Sequence, residues 1–179
     1  MKVNTPAMLA PTPRPAPFIE LFLASVDHLS DVWGLSVPAI VQLDELRQLP
    51  VGSLGRSLVE FLQQHHLQPL DTGLRRKQLH DSLHVLTGYG TDPLGEAEVQ
   101  AFLLGVKFNP ANFLLGLSLL AALHRQRRRG QFSQSPAVVW QRLRTAYGRG
   151  VRADFDPDRW QPELEWALPL VQVRDHYRL

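Results

Sequence analysis

The chain has 179 residues, of which 44% are hydrophobic and 20% are charged, and it contains no cysteine. This length and composition are typical of one globular domain with a real core, and they exclude disordered, fibrous and collagen-like proteins. The lack of cysteine excludes disulfides, thiolate nucleophiles and cysteine-ligated metal sites, and it favours a reducing compartment. No apolar run reaches the roughly 18 residues of a membrane-spanning helix, and the N-terminus lacks an apolar signal core, so we expect a soluble, cytoplasmic protein.

The net charge of +2 hides a strong asymmetry along the chain. Between Glu98 and Asp154 there is no acidic residue, whereas this stretch holds Lys107 and eight arginines. The remainder of the chain carries 10 basic and 17 acidic residues. An acidic body with a basic segment predicts an anionic partner, such as a phosphate, a carboxylate, a lipid headgroup or nucleic acid.

The first part of the chain is rich in proline. Five prolines within residues 1–17 disfavour both helical and ladder hydrogen bonds, so this stretch is predicted to be an extended, disordered leader. The rest of the chain, residues 18–179, is predicted to form a single domain.

Apolar residues in the N-terminal half recur at intervals of three and four, which is typical of amphipathic helices. This spacing predicts a first helix over 18–34 and a second that begins at Pro38. A third helix is expected with Ser53 or Ser57 as its N-cap. A fourth is predicted over 72–87, ending at the glycine-rich turn that follows.

The C-terminal half shows the same helical periodicity. Asp92-Pro93 is the pattern of an N-cap followed by proline, and it predicts a helix that continues to Val106. The apolar run 113–123 predicts a helix that is apolar nearly all round, and another helix is expected over 136–148. A last helix is predicted after Asp156-Pro157, with one face formed by Trp160, Leu164 and Leu168. Because no segment shows strand-like alternation, the sequence predicts an all-α fold.

Two histidines lie one helical turn apart in the segment His80-Asp81-Ser82-Leu83-His84. At this spacing both imidazoles lie on one helix face and can reach one metal ion. Asp81 is rotated by about 100° from His80, so it can act as a ligand from the flank or as a partner of a ligand histidine. Glu96 follows in the first turn of the next helix, beyond a tight reversal, and is the candidate carboxylate ligand.

Two histidines and a carboxylate with open positions suit catalytic zinc, and equally a non-haem iron or manganese centre. The alternative is that these are ordinary helix residues without a metal, since a short motif alone is a hypothesis.

Three segments of the chain resemble one protein family. The run HDSLHVLTGYGTDPLGE, residues 80–96, resembles the H-D-x-x-H-x(11)-E signature of the coenzyme Q (ubiquinone) biosynthesis protein 4 family. The run LPVGSLGR, residues 49–56, is similar to an L-P-x-G-S-L-G-R turn of that family, and residues 160–174 are similar to the tail of its bacterial members. Arg75-Arg76-Lys77 departs from the family pattern, in which Arg-Tyr is frequent.

The resemblance implies an all-helical protein that acts on polyprenylated benzenoid precursors of quinones. It implies a divalent metal, usually zinc, held by His80, Asp81, His84 and Glu96, which would also be the catalytic residues. The implied reaction removes the ring carboxylate at C1, coupled to oxygenation of the same carbon. The alternative role is a non-catalytic scaffold that binds prenyl lipids and organises other quinone-biosynthesis enzymes at the membrane. A homo-oligomer is compatible with either role.

Small residues in two successive helices offer room for a prenyl tail. The candidate groove residues are Ala101, Gly105, Gly116 and Ala121. The alternative is close helix–helix packing, for which small residues are equally suited.

Four arginines close the apolar helix: Arg125, Arg127, Arg128 and Arg129. They predict peripheral contact with the anionic inner face of a membrane, at about 1 kcal/mol per basic residue. The alternative is favourable charge at a helix C-terminus. Nucleic acid is not expected, because the cluster has no interleaved aromatic residues and matches no binding motif.

Overall fold

A computed structural model describes residues 37–179, and this part of the chain is folded into eight α-helices and one short 3₁₀ turn. The helices are α1 (Leu43–Leu46), α2 (Leu54–Gln64), α3 (Arg75–Gln78), α4 (His80–Thr87), α5 (Pro93–Val106), α6 (Pro110–Arg128), α7 (Pro136–Arg152) and α8 (Leu170–His176), and the 3₁₀ turn is Pro162–Leu164. No strand occurs in this range, so the predicted all-α class is confirmed. The predicted leader, 1–17, and the predicted first helix, 18–34, lie outside the described residues.

The segment predicted to form a helix from Pro38 is helical for one turn only, in α1. The preceding residues run extended along α3, where the side chain of Gln78 accepts from the Ile40 N–H at 2.9 Å and donates to the Val37 carbonyl at 2.9 Å. Gln78 is buried. Because these tertiary hydrogen bonds satisfy the backbone, the segment does not need helical ones, and the prediction of a helix from Pro38 is wrong.

The predicted fourth helix, 72–87, is divided into α3 and α4. Leu79 separates them with φ −90° and ψ 1°, outside the helical range, and the helical part begins at Arg75. α4 ends where predicted, at Gly88, whose φ of +78° is the left-handed conformation that glycine adopts without strain. Helix α4, which carries His80 and His84, is therefore short. The elements packed against it determine its position.

Buried apolar residues form two clusters that share α5. The larger one packs α2, α4 and the C-terminal segment around Phe102 of α5. The smaller one joins α5, α6 and α7 through Leu94, Ala97, Leu119 and Leu143. α5 is consequently the central helix, and it carries Glu96 in its first turn.

Two glycines allow α5 and α7 to pack at close range. A Cβ on Gly105 would lie 2.2 Å from the Tyr147 carbonyl oxygen, and a Cβ on Gly150 would lie 2.1 Å from the Phe102 carbonyl oxygen. Only glycine is compatible with such backbone approaches. These two contacts fix the position of α5 relative to α7 along their shared interface.

α6 is more exposed than its composition predicts. Of its apolar residues only Leu119 and Leu123 are buried, whereas Phe113, Leu114 and Leu117 are 45%, 58% and 47% exposed. A helix that is apolar nearly all round is normally buried, but α5 and α7 cover only one side of α6. Within residues 37–179 no helix has the length and apolar character required to cross a bilayer.

The helix predicted after Asp156-Pro157 is absent. Residues 156–161 form a turn, and Trp160 is buried while Leu164 and Leu168 are exposed, so they do not share a buried face. The backbone of this segment pairs instead with the turn before α2, where the Leu54 N–H donates to the Leu168 carbonyl at 2.9 Å. The resulting contact is tight at Gly55, whose Cβ would lie 3.2 Å from Trp166 Cβ and 2.7 Å from Leu49 Cδ1.

Candidate metal centre

The loop between α4 and α5 folds one helix back onto the other. Asp92 caps α5 by accepting from the N–H groups of Leu94 and Gly95 at 2.8 and 3.1 Å, as predicted from the Asp-Pro pair. The first turn of α5 approaches the loop so closely that a Cβ on Gly95 would lie 2.1 Å from the Gly90 carbonyl oxygen. This contact holds Glu96, the next residue, against the histidine face of α4.

Three of the four predicted ligands converge on one point. His80, His84 and Glu96 each offer a ligand atom, and these atoms lie within 4.8 Å of one another. His80 Nε2 lies 3.2 Å from Glu96 Oε2, His84 Nε2 lies 3.2 Å from Glu96 Oε1, and the two Nε2 atoms are 3.1 Å apart. Two imidazole nitrogens and a carboxylate that face one another at this range form a set able to hold a divalent cation.

A backbone carbonyl fixes the orientation of His84. Its Nδ1 lies 3.1 Å from the Tyr89 carbonyl oxygen, so Nδ1 carries a proton, and Nε2, which faces His80 and Glu96, is the nitrogen that can bind a cation once its own proton is displaced. This arrangement is the usual support of a metal-binding histidine. His84 is 1% exposed, whereas His80 and Glu96 are 35% and 27% exposed, so the site opens to the outside beside these two residues.

The electrostatics of the cluster keep its carboxylate ionised. Burial alone would raise the pKa of Glu96, but hydrogen bonds and positive charge from His80 and His84 outweigh it and lower the pKa to about 2. Burial alone would lower the pKa of His84, yet the hydrogen bond and charge of Glu96 outweigh it and raise the pKa above 6.5. Without a cation, the cluster therefore retains protons that a metal ion would displace.

Asp81, the fourth predicted ligand, does not belong to the converging set. Burial raises its pKa above the ordinary value, while the charges of His80 and His84 act in the opposite direction. Asp81 thus lies near enough to the two histidines to feel their charge, and its role as a flanking ligand or as the partner of a ligand histidine stays a prediction.

Two arginines that the sequence did not single out hold the C-terminal end of α4. Arg174 of α8 donates to the carbonyls of Val85 and Leu86, each at 2.9 Å, and Arg149 of α7 donates to the Thr87 carbonyl at 3.0 Å. These carbonyls would otherwise lack partners at a helix end. No local sequence signal identifies the two residues, because they lie 62 to 89 positions away from their partners.

His65 is a further neighbour of the centre that the sequence did not predict. Its ring packs on Phe61 at 4.6 Å between centroids, and Phe61 in turn stacks on His84 at 5.8 Å. His65 Nδ1 also lies 3.2 Å from Thr91 Oγ1, and its charge acts on Asp81. The spacing of Phe61 and His65 by four residues near the end of α2 was the available signal for this contact.

The four small residues predicted to line a groove lie in different environments. Gly105 is the close contact with Tyr147, and Ala101 packs in the cluster shared by α5, α6 and α7. A Cβ on Gly116 would lie 3.7 Å from Gln100 Cβ, an ordinary contact distance, and Ala121 is exposed. At Gly105 the structure agrees with the alternative of close helix packing, because no volume remains there for a lipid.

The four arginines predicted to contact a membrane are all exposed at the end of α6. The same helix presents the exposed apolar residues Phe113, Leu114 and Leu117. An apolar cavity of about 190 Å³ lies between α6 and α7, and Leu120, Leu123, Phe132 and Arg127 are among its lining residues.

Similarity to known proteins is confined to the fold. No family model and no curated protein matches this chain. A crystal structure from Nostoc punctiforme, of a protein named for a proposed role in ubiquinone biosynthesis, is similar with a TM-score of 0.61 over 90% of this chain and 81% of that chain. The two sequences are 19% identical, so the likeness shows a shared fold.

Proposed function

We propose that the protein is a metal-dependent enzyme of ubiquinone biosynthesis that removes the C1 carboxylate of a polyprenylated benzenoid precursor, with oxygenation of the same carbon. The observation that carries this proposal is the convergence of His80, His84 and Glu96. The fold shared with the Nostoc punctiforme protein and the sequence resemblance of residues 80–96 support the choice of pathway.

The three converging residues fit a divalent cation, most readily zinc. His84 is held by the Tyr89 carbonyl with Nε2 directed into the cluster, which is the tautomer a metal requires. The cation would withdraw electron density from the ring oxygens of the substrate and stabilise the charge that develops as carbon dioxide leaves. His80 and Glu96, the partly exposed members, line the side from which a substrate would approach.

The proposed reaction breaks the bond between the ring carbon and the carboxylate, and carbon dioxide leaves. The ring carbon becomes bonded to one oxygen atom from dioxygen, and the second oxygen atom leaves as water. Two electrons from an external reductant and two protons from solvent complete the balance.

The test is turnover of a prenylated hydroxybenzoate by the purified full chain, in air, with a reductant and with zinc, iron(II) or manganese(II). We expect release of carbon dioxide and a product that gains one oxygen atom, both lost in His84→Ala and both retained in His124→Ala. Binding of the substrate without turnover under all three metals would contradict the enzymatic proposal.

The exposed apolar face of α6 favours a second candidate function, a scaffold that binds prenyl lipids and associates peripherally with a membrane. Phe113, Leu114 and Leu117 lie beside the exposed arginines that close the helix. The cavity of about 190 Å³ between α6 and α7, rather than the small residues of α5, is then the place for an isoprenoid chain. Such a scaffold would bind lipid and other quinone-biosynthesis enzymes without consuming a precursor.

A further inference from the structure

A second cavity lies between the loop that follows α4 and the polar face of α7. Its volume is about 330 Å³, and its lining includes Tyr89, Glu98, Arg142, Thr145 and Arg149. Tyr89 is the residue whose backbone carbonyl orients His84, and it also lines this cavity. Tyr89 therefore contacts both the cavity and the candidate metal centre. None of the three converging ligands lines the cavity.

Helical spacing places the donors of α7 in one row. Arg142, Thr145 and Arg149 are separated by three and four residues, so their side chains lie on the same face of the helix, and all three line the cavity. The Thr145 hydroxyl and the guanidinium groups of Arg142 and Arg149 therefore offer hydrogen-bond donors to the same part of the cavity.

The charge of this row is only partly neutralised. Arg142 makes a two-pronged ion pair with the buried carboxylate of Glu98, with 2.7 Å between Nε and Oε1. Arg149 lies over the Tyr89 ring at 5.1 Å and donates to the Thr87 carbonyl, and no carboxylate in the described part of the chain forms an ion pair with it. Two arginines and one glutamate leave the cavity with one formal positive charge.

The Tyr89 hydroxyl is an independent sign that the cavity accommodates a ligand. It is buried, and no group of residues 37–179 lies in hydrogen-bond geometry with it, although Arg149 is near enough to lower its pKa against the raising effect of burial. A buried hydroxyl without a partner is costly, by about 1–3 kcal/mol, and is rare in native proteins. An acceptor placed in the cavity would satisfy it.

We propose that this cavity is a binding site for a single oxyanion, a carboxylate or a phosphate group, held by Arg149, Thr145 and the Tyr89 hydroxyl. The chemistry of the lining selects the class: the uncompensated charge is positive, and guanidinium and hydroxyl groups donate to oxygen. A monoanion balances the charge of the cavity.

The site is tested by isothermal titration calorimetry of the full chain with inorganic phosphate and, separately, with benzoate, at constant ionic strength. One arm uses the protein as purified, and a second uses protein treated with a chelator. We expect saturable binding of one equivalent of at least one probe, unchanged by the chelator, and the probe that binds more tightly identifies the source of the oxyanion. Binding that disappears with the chelator belongs to the metal centre and overturns the proposal.

Tyr89→Phe is the decisive variant. It removes only a hydroxyl that makes no hydrogen bond within residues 37–179, so the melting temperature without a probe should stay the same or rise, while the affinity should fall at least about tenfold. Arg149→Gln should weaken binding similarly, since a glutamine can still donate to the Thr87 carbonyl. Arg144→Gln is the matched control on the exposed part of α7 and should have no effect. Equal binding by wild type and Tyr89→Phe, or an equal loss in Arg144→Gln, would overturn the proposal.

Discussion

At the scale of single residues, His84 is central to the candidate metal centre, because one ring nitrogen fixes the orientation of the ring and the other faces the remaining two ligands. Nδ1 donates to the Tyr89 carbonyl, and Nε2 lies within 3.2 Å of both His80 and Glu96. Burial of the ring excludes water as an alternative partner. The histidine spacing and the carboxylate were predictable from the sequence, whereas the carbonyl that sets the tautomer depends on how the loop folds.

The first prediction concerns metal content. Replacing His84 with alanine removes the best-oriented ligand, so the purified variant should contain no stoichiometric divalent ion, whereas wild type should contain about one per chain. His124→Ala, an exposed histidine on α6, is the matched control and should keep the ion. Elemental analysis of both proteins after gel filtration measures this. An unchanged ion content in His84→Ala would show that the ion lies elsewhere.

The second prediction concerns pH. The pKa of Glu96 is about 2, so this ligand stays ionised on mild acidification, whereas the pKa of His84 is raised above 6.5. Protons therefore compete with the ion at the histidine first, and occupancy should fall as the pH drops from about 7 to about 5. Ion content after equilibration at stepwise lower pH gives the profile. Retention of the ion below about pH 4 would contradict a histidine ligand.

At the scale of helices, the sequence predicts those whose ends carry strong local signals. α5 and α7 begin at Asp92-Pro93 and Ser135-Pro136, and α4 ends at Gly88, all of which are capping patterns. The predictions fail where tertiary partners replace local ones. Residues 37–42 form hydrogen bonds with Gln78, and residues 165–170 form them with the turn before α2. Neither contact changes the spacing of apolar residues along the chain, so the sequence does not predict it.

Small residues in helices are ambiguous for a related reason. Glycine and alanine are equally compatible with an open groove and with a close helix contact, and only the partner helix decides between them. Gly105 faces the α7 backbone, whereas the nearest atom to a Cβ at Gly116 is a side-chain carbon at 3.7 Å. Composition alone does not distinguish the two.

The third prediction uses these two glycines as a matched pair. Gly105→Ala should lower the free energy of unfolding by about 1–3 kcal/mol, because the added methyl group forces α5 and α7 apart. Gly116→Ala should leave it unchanged or raise it by up to about 1 kcal/mol through helix propensity. Urea denaturation of both variants measures the difference. Equal stability of the two would mean that α5 and α7 do not pack at this distance.

At the scale of the whole molecule, charge and apolar exposure coincide on α6. Lys107 and Phe108, the latter 71% exposed, precede the helix, the apolar face of Phe113, Leu114 and Leu117 follows, and the arginine cluster closes it. An exposed apolar surface next to concentrated positive charge is typical of proteins that bind an anionic membrane surface.

The fourth prediction follows from this arrangement. The protein should sediment with vesicles that contain anionic lipid and not with neutral vesicles, and added salt should weaken the association because exposed charges are screened over roughly 8 Å at physiological ionic strength. Replacing Arg127, Arg128 and Arg129 with glutamine should reduce the binding severalfold. Arg144→Gln serves as the control. Equal binding to both vesicle types would favour the role of these arginines as helix C-terminal charges.

The support of α4 by Arg149 and Arg174 has a consequence for the order of events during synthesis. Both arginines are translated at least 62 residues after the carbonyls that they satisfy, and Arg174 lies on the last helix, α8. A nascent chain that has exposed only α4 and α5 already possesses all three candidate ligands, but the carbonyl end of α4 still has no partners. We therefore expect stable ion capture to follow docking of α8 rather than emergence of the ligands from the ribosome.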